Sequence, residues 1–501
     1  MTRATWRGAA EPGRRRGGRA LGAAAVTALG LPLLAGACAA GAGEPAAGGW
    51  GIARQIPGLA ALNTGTAGGG GAGVSSLSCG SPGNCAAVGT YDVGRYRQRA
   101  YLASQVRGTW GKAERVPGLA ALDKGGYEAI GPVSCAAAGD CAAVGGYTTS
   151  THRPQGFVIS EVHGIWGKAR PLPGLAKLSG GRFSSLTAVS CAAAGSCSVS
   201  GTYGPGHGRV FVDSQVRGIW GTPVEVPGIK ALDHNGFAVI PALSCGSAGN
   251  CAAGGYYKPG QNQTRPFIVD QVRGVWGTAQ DVPGPATSGS GDSAGITTMS
   301  CASAGNCSAA GFRDTADAAV AVVVSEVHGT WGSAQQIPGL AKLARRSSSE
   351  LLSLSCASAG NCSAGGDYGS DSEDSRAFVV SEVHGIWGRA GYVPGLDVLD
   401  KGRNSSVVTV SCPSPGNCTA GGSYSHGPLP GIGHPDSQAF VVTLTDGTWG
   451  RALEVPGTGA LNKHRDGTIS TVSCAAVRKC SAGGSYYDGS YVFQAFVISH
   501  T

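Results

Sequence analysis

The sequence predicts an all-β chain that closes on itself as a ring of eight four-stranded units. Three observations predict it. A C-x5-C pair recurs eight times, at Cys79/Cys85, Cys135/Cys141, Cys191/Cys197, Cys245/Cys251, Cys301/Cys307, Cys356/Cys362, Cys412/Cys418 and Cys474/Cys480. A Trp-Gly element also recurs eight times, at Trp50, Trp110, Trp166, Trp220, Trp276, Trp331, Trp387 and Trp449. The two series are out of phase: the first Trp precedes the first Cys pair, and no Trp follows the last. A period of 54–62 residues is one supersecondary unit, so the repeat sets the architecture before any local reading.

Each repeat reads as four strands. Strand a ends at the first Cys, as in LTAVSC (Leu186–Cys191) and VVTVSC (Val407–Cys412), with the alternation and β-branching of a strand. A Gly- and Asn-bearing turn follows. Strand b starts at the second Cys (CAAVGGYT, CAAGGYYK, CSAGGSYY); its Gly-Gly-Tyr signals close approach between packed sheets. Strand c is apolar throughout (GFVISEV, AVVVSEV, AFVVSEV) and reads as buried on both faces. An X-Gly pair, such as His163-Gly164 or Asp446-Gly447, marks a tight hairpin into strand d, W-G-x-A-x-x-V/I-P-G, an edge strand ended by its Pro. No helix is predicted. Eight such units make an eight-bladed β-propeller over residues 50–501, its ring closed by the N-terminal strand d pairing with the C-terminal strands a–c. An open solenoid would carry distinct polar caps, which the sequence lacks.

Residues 1–37 have an Arg-rich start and an apolar core, LGAAAVTALGLPLLAGA, the pattern of an export signal. Leu34-Ala35-Gly36-Ala37-Cys38 resembles a bacterial lipoprotein box, with Ala35 where Leu is usual, which implies lipidation of Cys38. Of 17 cysteines, sixteen fall in the pairs and Cys38 is left over. Residues 38–49 then read as the lipidated Cys and a flexible tether. The expected location is the outer face of the cell membrane, or the medium, where disulfides persist.

The Cys pairs are expected to staple each a–b hairpin. Zinc pairs are more closely spaced and carry a second pair or His nearby, so neither metal nor cofactor is expected. The repeated Trp reads as a packing residue between blades near the rim. Formal charge is +8, but six arginines against one acid in residues 1–37 account for +5, leaving +3. That field, with no basic stripe, excludes nucleic acid.

The c–d hairpins SEVHGTW (Ser325–Trp331) and TLTDGTW (Thr443–Trp449) resemble the Asp-box, S-x-D-x-G-x-x-W, of sialidase-type propellers. Val162, Val327 and Val383 stand at the box Asp, and the Trp is one residue closer. The box is structural in its own families, so the resemblance implies fold and not activity. The whole repeat resembles secreted actinobacterial proteins with SCxSxGxCxAxG repeats, for which the resemblance implies no established activity.

Catalysis needs groups that differ from the repeat and converge. Gly291-Asp292-Ser293-Ala294-Gly295 matches G-x-S-x-G but sits in a loop, not on a strand-to-helix elbow. The acidic run around Asp371, Glu373 and Asp374 lacks the ligand spacing of a calcium loop. No catalytic set is assigned. The a–b and c–d turns should share one face and be uniform, whereas the b–c loops on the other face differ sharply. Variation on one face of a repeated scaffold is how repeat proteins carry recognition. The candidate contacts are Tyr96, Arg97, Arg99, His152, Arg153, Arg265, His426, His434, Tyr487 and Tyr491. The expected function is a monomeric binding or scaffolding module facing a cell-envelope glycan or protein, held to the membrane through a lipid anchor alone. The alternatives are a secreted glycan hydrolase or lyase with its site at the channel mouth, and a purely structural envelope protein.

Overall fold

A computed structural model of the chain describes residues 49–66, 70–95, 97–205, 208–260, 263–284, 293–315, 318–345, 347–371, 374–428, 435–464 and 466–500. The leader, Cys38, the tether up to residue 48, Tyr96, Glu373, His434 and Gly291-Asp292 lie outside the described residues.

Eight antiparallel sheets run in the order a-b-c-d. Blade 2 shows the pattern: strand a Glu128–Ala137, strand b Asp140–Thr148, strand c Pro154–Val162, and strand d in two pieces, Ile165–Trp166 and Arg170–Pro171. Blade 8 takes strands a–c from Gly467–Ala476, Lys479–Tyr487 and Phe493–Ser499. Its fourth strand is Arg54–Gln55, in register Arg54↔Val497 and Gln55↔Phe496, with Trp50 bridging His500. The ring therefore closes as the phase of the two series predicts.

Two circles of hydrogen bonds tie the blades together. Every repeat has Ser before its first Cys, and the reason lies at the ring's centre, where neighbouring strands a meet. The Cys N–H of each blade donates to the Ser hydroxyl of the preceding blade: Cys135 to Ser78 at 3.0 Å, Cys191 to Ser134 at 2.9 Å, Cys301 to Ser244 at 2.9 Å. The series runs through Cys245, Cys356, Cys412 and Cys474 and ends with Cys79 on Ser473 at 3.0 Å, so the circle is complete. At the rim, the Ala of W-G-x-A donates to the Pro carbonyl of the preceding blade, as Ala169 does to Pro117 at 2.7 Å and Ala53 to Pro456 at 2.8 Å. Pro223 holds the Ala position in blade 3 and has no N–H to give.

That rim bond explains why strand d is broken rather than continuous as the sequence pattern predicts. Trp110 pairs with Gln105 and Glu114 with Leu102, which leaves one extra residue on strand d. Ala113 sits at this bulge, and its N–H turns away to Pro57 of blade 8. The expectation of no helix is also corrected. Seven one-turn helices follow the Pro-Gly pairs among the described residues, as at Leu119–Leu122, Leu340–Ala344 and Leu396–Leu399. Four or five residues show no helical period, but the first residue of each is buried between blades: a leucine in five, such as Leu119, Leu340 or Leu396, and Ile229 and Thr458 in the other two.

Strand c feeds two cores. Phe157 and Ile159 pack with Val88 and Leu102 of blade 1, whereas Val158 packs with Leu186 and Trp220 of blade 3. Fully buried Phe157, Val158 and Ile159 thus make blade 2 a wall shared by its neighbours. The Trp residues fill these same wedges: Trp220, Trp331 and Trp387 are buried, and the Trp166 indole N–H donates to Ser104 of the preceding blade at 3.0 Å.

The paired glycines of strand b do two different jobs. The residue four past the second Cys is Gly in all eight repeats. A Cβ at Gly255 would lie 1.8 Å from the Val239 carbonyl oxygen of its own blade, where strand a bulges between Val239 and Ala242. The residue before it faces the next blade: a Cβ on Gly365 would meet Val407 at 2.3 Å. Only this second approach is the sheet-to-sheet contact the sequence suggests.

All eight Cys pairs form disulfides inside their hairpins, with Cα separations of 3.9–4.1 Å. Closing such a short loop stabilises by roughly 2 kcal/mol on the chain-entropy model. The pairs staple their hairpins as expected, and the second Cys of each is also a core residue. Cys85, Cys141, Cys197, Cys251, Cys307, Cys362, Cys418 and Cys480 are only 3–6% exposed, and each belongs to an apolar cluster between blades. The first Cys of each pair is half-buried, except Cys412, which is buried as well. The cause is position in the sheet. The second Cys opens strand b, which lies between strands a and c, and its sulfur points at the preceding blade. A hydroxyl of that blade faces the sulfur: Ser481 at Cys85 (3.6 Å), Ser198 at Cys251 (3.3 Å), Ser308 at Cys362 (3.5 Å), Ser363 at Cys418 (3.3 Å) and Thr419 at Cys480 (3.4 Å). Cys307 is packed instead by Ala252 and Ala242 of blade 4. These sulfurs are therefore packed into the blade junctions like small apolar side chains.

Eight disulfides are the signature of a protein that folds outside a reducing compartment. No helix of the described residues is long and apolar enough to cross a membrane.

Candidate functional site

The a–b and c–d turns do share a face, because they are hydrogen-bonded to each other. Gly108 N–H donates to Gly83 O at 2.8 Å, and the same bond recurs from Gly164, Gly218, Gly274, Gly329, Gly385 and Gly447. Both turn residues have positive φ, as at His163 (52°) and Gly164 (82°), which is the tight hairpin expected of X-Gly. Uniform bonding leaves this face nearly identical from blade to blade.

Polar groups behind it are structural. The Ser104 hydroxyl donates to buried Glu161 of the next blade at 2.9 Å, and Ser325 does the same to Glu382 at 3.2 Å. Blade 4 has Asp270 at the Ser position, holding the Trp331 indole N–H at 3.1–3.2 Å. Glu326 belongs to the same blade junction. Burial first, and the Asp270 charge second, push its carboxyl up to about 7. Asp213, also buried, is pushed up to about 7 by desolvation.

The predicted contacts lie on the opposite face or its edge, but in five different blades. Arg97 is exposed at the start of strand c of blade 1 (Arg97–Val106). Arg99 is committed elsewhere: its guanidinium pairs with Asp123 and, at 3.1 Å, with Glu128. Both carboxylates are almost fully buried, so this cation serves as their shared counterion at the junction of blades 1 and 2. His152 and Arg153 are exposed in the b–c turn of blade 2, where Arg153 reaches the Gly181 carbonyl at 3.3 Å. Arg265 opens strand c of blade 4 (Arg265–Val272). His426 is exposed, its ring edge-on to Tyr424 at 5.1 Å. Tyr487 packs edge-on against Phe493 at 4.2 Å, and Tyr491 stacks on His464 at 3.6 Å. Tyr96 and His434 lie outside the described residues. Of the G-x-S-x-G pattern, Ser293 accepts the Thr264 N–H at 3.2 Å, a loop-fixing contact.

A different set converges. A hollow of about 660 Å³ on the b–c side of blades 5–7 is lined by Lys342, Arg345, Arg376, Arg389 and Arg403. Lys342 lies on the helix Leu340–Ala344 and Arg345 caps it. Arg376 lies on strand c of blade 6 (Asp374–Val383) and Arg389 between the two pieces of its strand d. Arg403 precedes strand a of blade 7 (Ser405–Ser414). Arg376 lies over the Tyr392 ring at 5.5 Å, and burial pushes the Tyr392 hydroxyl up to about 12, Asp400 adding to the effect. No acidic side chain of the described residues lines the hollow, and Lys342, Arg345 and Arg389 form no ion pair among the described residues. Asp371, Glu373 and Asp374 follow Gly369 in the chain, but their side chains lie outside the described residues.

Sequence reasoning missed this set because its members come from different repeat positions in three blades. Arg389 occupies a site that is Lys112 or Lys168 elsewhere, and Lys342 matches Lys177, so neither is singular. The available signal was the Arg345-Arg346 pair after LAKLA, unlike any other repeat.

No family model matches the chain, and no curated protein matches it in sequence. Among solved structures, a prolyl endopeptidase has 11% identity and a TM-score of 0.41 over 83% of this chain, which spans 55% of that one. The Hadza microbial sialidase Hz136 has 12% identity and a TM-score of 0.40, covering 80% of this chain and 73% of its own. A polysaccharide lyase, an ulvan lyase, has 12% identity and a TM-score of 0.39 over 81% of this chain and 96% of its own. The propeller assignment itself stands on the strand order and closure described above.

Proposed function

We propose that this chain is an exported binding module whose hollow at blades 5–7 holds an anionic cell-envelope polymer, with Cys38 tethering it to the membrane surface. The observation that carries the reading is the gathering of five cations around one open hollow. Lys342, Arg345 and Arg389 form no ion pair among the described residues, and a ligand bearing carboxylate, sulfate or phosphate balances their charge. Four of the five are arginines, whose planar donors match such groups in pairs. The channel supports binding over turnover. Glu128 and Glu350 are the only charged residues in the eight strands a that line it, and Glu128 is already paired with Arg99.

The test measures binding of the full chain to polygalacturonate, dextran sulfate and neutral dextran across a salt series. The two anionic polymers should bind and weaken as salt rises, and neutral dextran should not bind. The variant K342A/R345A/R389A should lose most of the affinity with its melting temperature unchanged, since all three side chains are exposed. Equal binding of charged and neutral polymers, or undiminished binding by the variant, would refute the site. Release of new reducing or unsaturated ends during incubation would move the chain to the enzyme reading.

A further inference from the structure

The strongest departure from the repeat is not on the surface but at the junction of blades 4 and 5. Six residues past the second Cys, seven repeats have Tyr: Tyr91, Tyr147, Tyr203, Tyr257, Tyr368, Tyr424 and Tyr486. The same blades carry an aromatic on strand c, and the two rings meet at 6.2–6.5 Å, as in Tyr203–Phe211, Tyr257–Phe267 and Tyr368–Phe378. Blade 5 alone has Arg313 and Val322 at these two places. The equivalence is fixed by register: Val322 lies opposite Gly311 as Phe378 lies opposite Gly366. Elsewhere the aromatic pair fills the wedge between blades together with a helix leucine, as Leu340, Phe378 and Tyr368 do between blades 5 and 6. In the sequence the corresponding leucine is Pro285 here, outside the described residues.

Losing two rings at one point leaves space. A cavity of about 260 Å³ opens there, lined among others by Arg265, Asp281, Ile296, Phe312, Arg313 and Val322. Its chemistry is two-sided. Ile296, Val322 and Phe312 make an apolar wall. Two of the cavity's polar groups already share a partner: Asp281 accepts the Tyr257 hydroxyl at 2.6 Å, and Arg265 reaches the same hydroxyl. Arg313 differs, since its Nε is buried with no hydrogen-bond partner among the described residues. A buried guanidinium N–H without an acceptor is costly unless a ligand supplies one. Among the described lining residues, two arginines against one aspartate leave one positive charge, which one carboxylate balances.

We infer that the cavity between blades 4 and 5 is a site for a small monocarboxylate with an apolar body, its carboxylate on Arg313 and its body against Ile296 and Val322. This site is separate from the hollow at blades 5–7 and does not depend on it.

Benzoate and cyclohexanecarboxylate are the probes, with benzamide as the neutral isostere, titrated into the full chain by calorimetry and by saturation-transfer NMR. Both acids should bind saturably and benzamide should not. The variant R313Y/V322F restores the aromatic pair that seven blades already tolerate, so it should melt at or above the wild type. It should weaken benzoate binding by roughly 10- to 100-fold, the worth of a charged hydrogen-bonded contact. R313Q keeps the cavity but removes the charge and should weaken the acids to the level of benzamide, which decides the matter if the refilled variant folds poorly. Absence of saturable benzoate binding up to about 10 mM, or equal binding by wild type and R313Q, would overturn the inference.

Discussion

Deleting residues 49–58 from the full chain removes the strand that closes the ring, and the cost follows from what those residues bury. Trp50 and Ile56 are each 1% exposed. Burying two side chains of this size stabilises by about 3–6 kcal/mol. Main-chain bonds from Gly51 to Ser499 at 3.0 Å and from Ala53 to Pro456 at 2.8 Å are lost with them. Each contributes about 0.5–1.5 kcal/mol, so the total is about 4–9 kcal/mol. Unfolding roughly 450 residues at about 2.1 cal/mol/K per residue gives about 1 kcal/mol per kelvin. Differential scanning calorimetry should therefore show a fall of about 4–9 °C. Ile52 is half exposed, and I52A serves as the control that should leave the transition in place. A deletion variant that melts within about 1 °C of the wild type would mean that blade 8 is complete without the N-terminal strand, and the closure argument would fail.

Further outcomes follow from single residues. G255A should cost about 1–3 kcal/mol, because its Cβ would press on the Val239 carbonyl at 1.8 Å, whereas G391A, with open space around it, should be neutral in the same melts. C301A/C307A should lose roughly 2 kcal/mol; a double variant as stable as the wild type would argue that the hairpin is held by its strand pairing alone. R99M should cost about 3–5 kcal/mol by stranding the buried Asp123 and Glu128 carboxylates, and should leave polymer binding intact; the reverse result would return Arg99 to the ligand face. Glu326 has its pKa raised to about 7 in the folded chain against an ordinary 4.5. The folded state therefore holds a proton that the unfolded state has released, so stability is full below about pH 4.5 and falls as pH rises to about 7. E326Q should melt above the wild type at pH 8 and with it at pH 4.5; coincident melts at pH 8 would show that the carboxylate is solvated.

The parts of this fold that were legible in the sequence are those that every blade repeats. Cys79/Cys85 and its siblings gave the hairpins, and the phase of Trp50 against Cys474/Cys480 gave the closure. Which sulfur of each pair is buried was not legible, because Cys85 and its counterparts are covered by the preceding blade, some 55 residues away in the chain or, for blade 1, at its far end. The bulge at Ala113 was not legible either, because an N–H bonded to Pro57 of another blade leaves no trace in local alternation. Single-turn helices such as Leu119–Leu122 are too short for a period and look like loop. Of the candidate site, the face with the unlike b–c loops was legible, but the residues that converge in the hollow on that side were not. Arg99 looked like an exposed cation at a loop edge and proved to be the counterion of two buried acids 24 and 29 residues on. Lys342, Arg376 and Arg403 are far apart in sequence and ordinary one at a time.

The same physics that makes one face uniform frees the other. Around the centre, each blade must present a Ser hydroxyl and a Cys N–H in step with both neighbours, and eight such bonds close only if every blade keeps the same geometry. The glycine-to-glycine bonds between a–b and c–d turns repeat one turn geometry inside each of seven blades. A change to the central Ser–Cys circle is felt by two blades at once. On the b–c side the bonds differ from blade to blade: Asp123 collects N–H donors from Gly126, Tyr127 and Thr148, while Asn462 does so from Asp466 and Tyr487. Departures from the repeat on that side leave the central circle of bonds intact, so they can accumulate without opening the ring. Blades 4–7 are where they do accumulate, with Arg313 and Val322 at one junction and five cations at the next. Symmetry in this molecule is a property of the scaffold, and recognition has to be sought where the symmetry breaks.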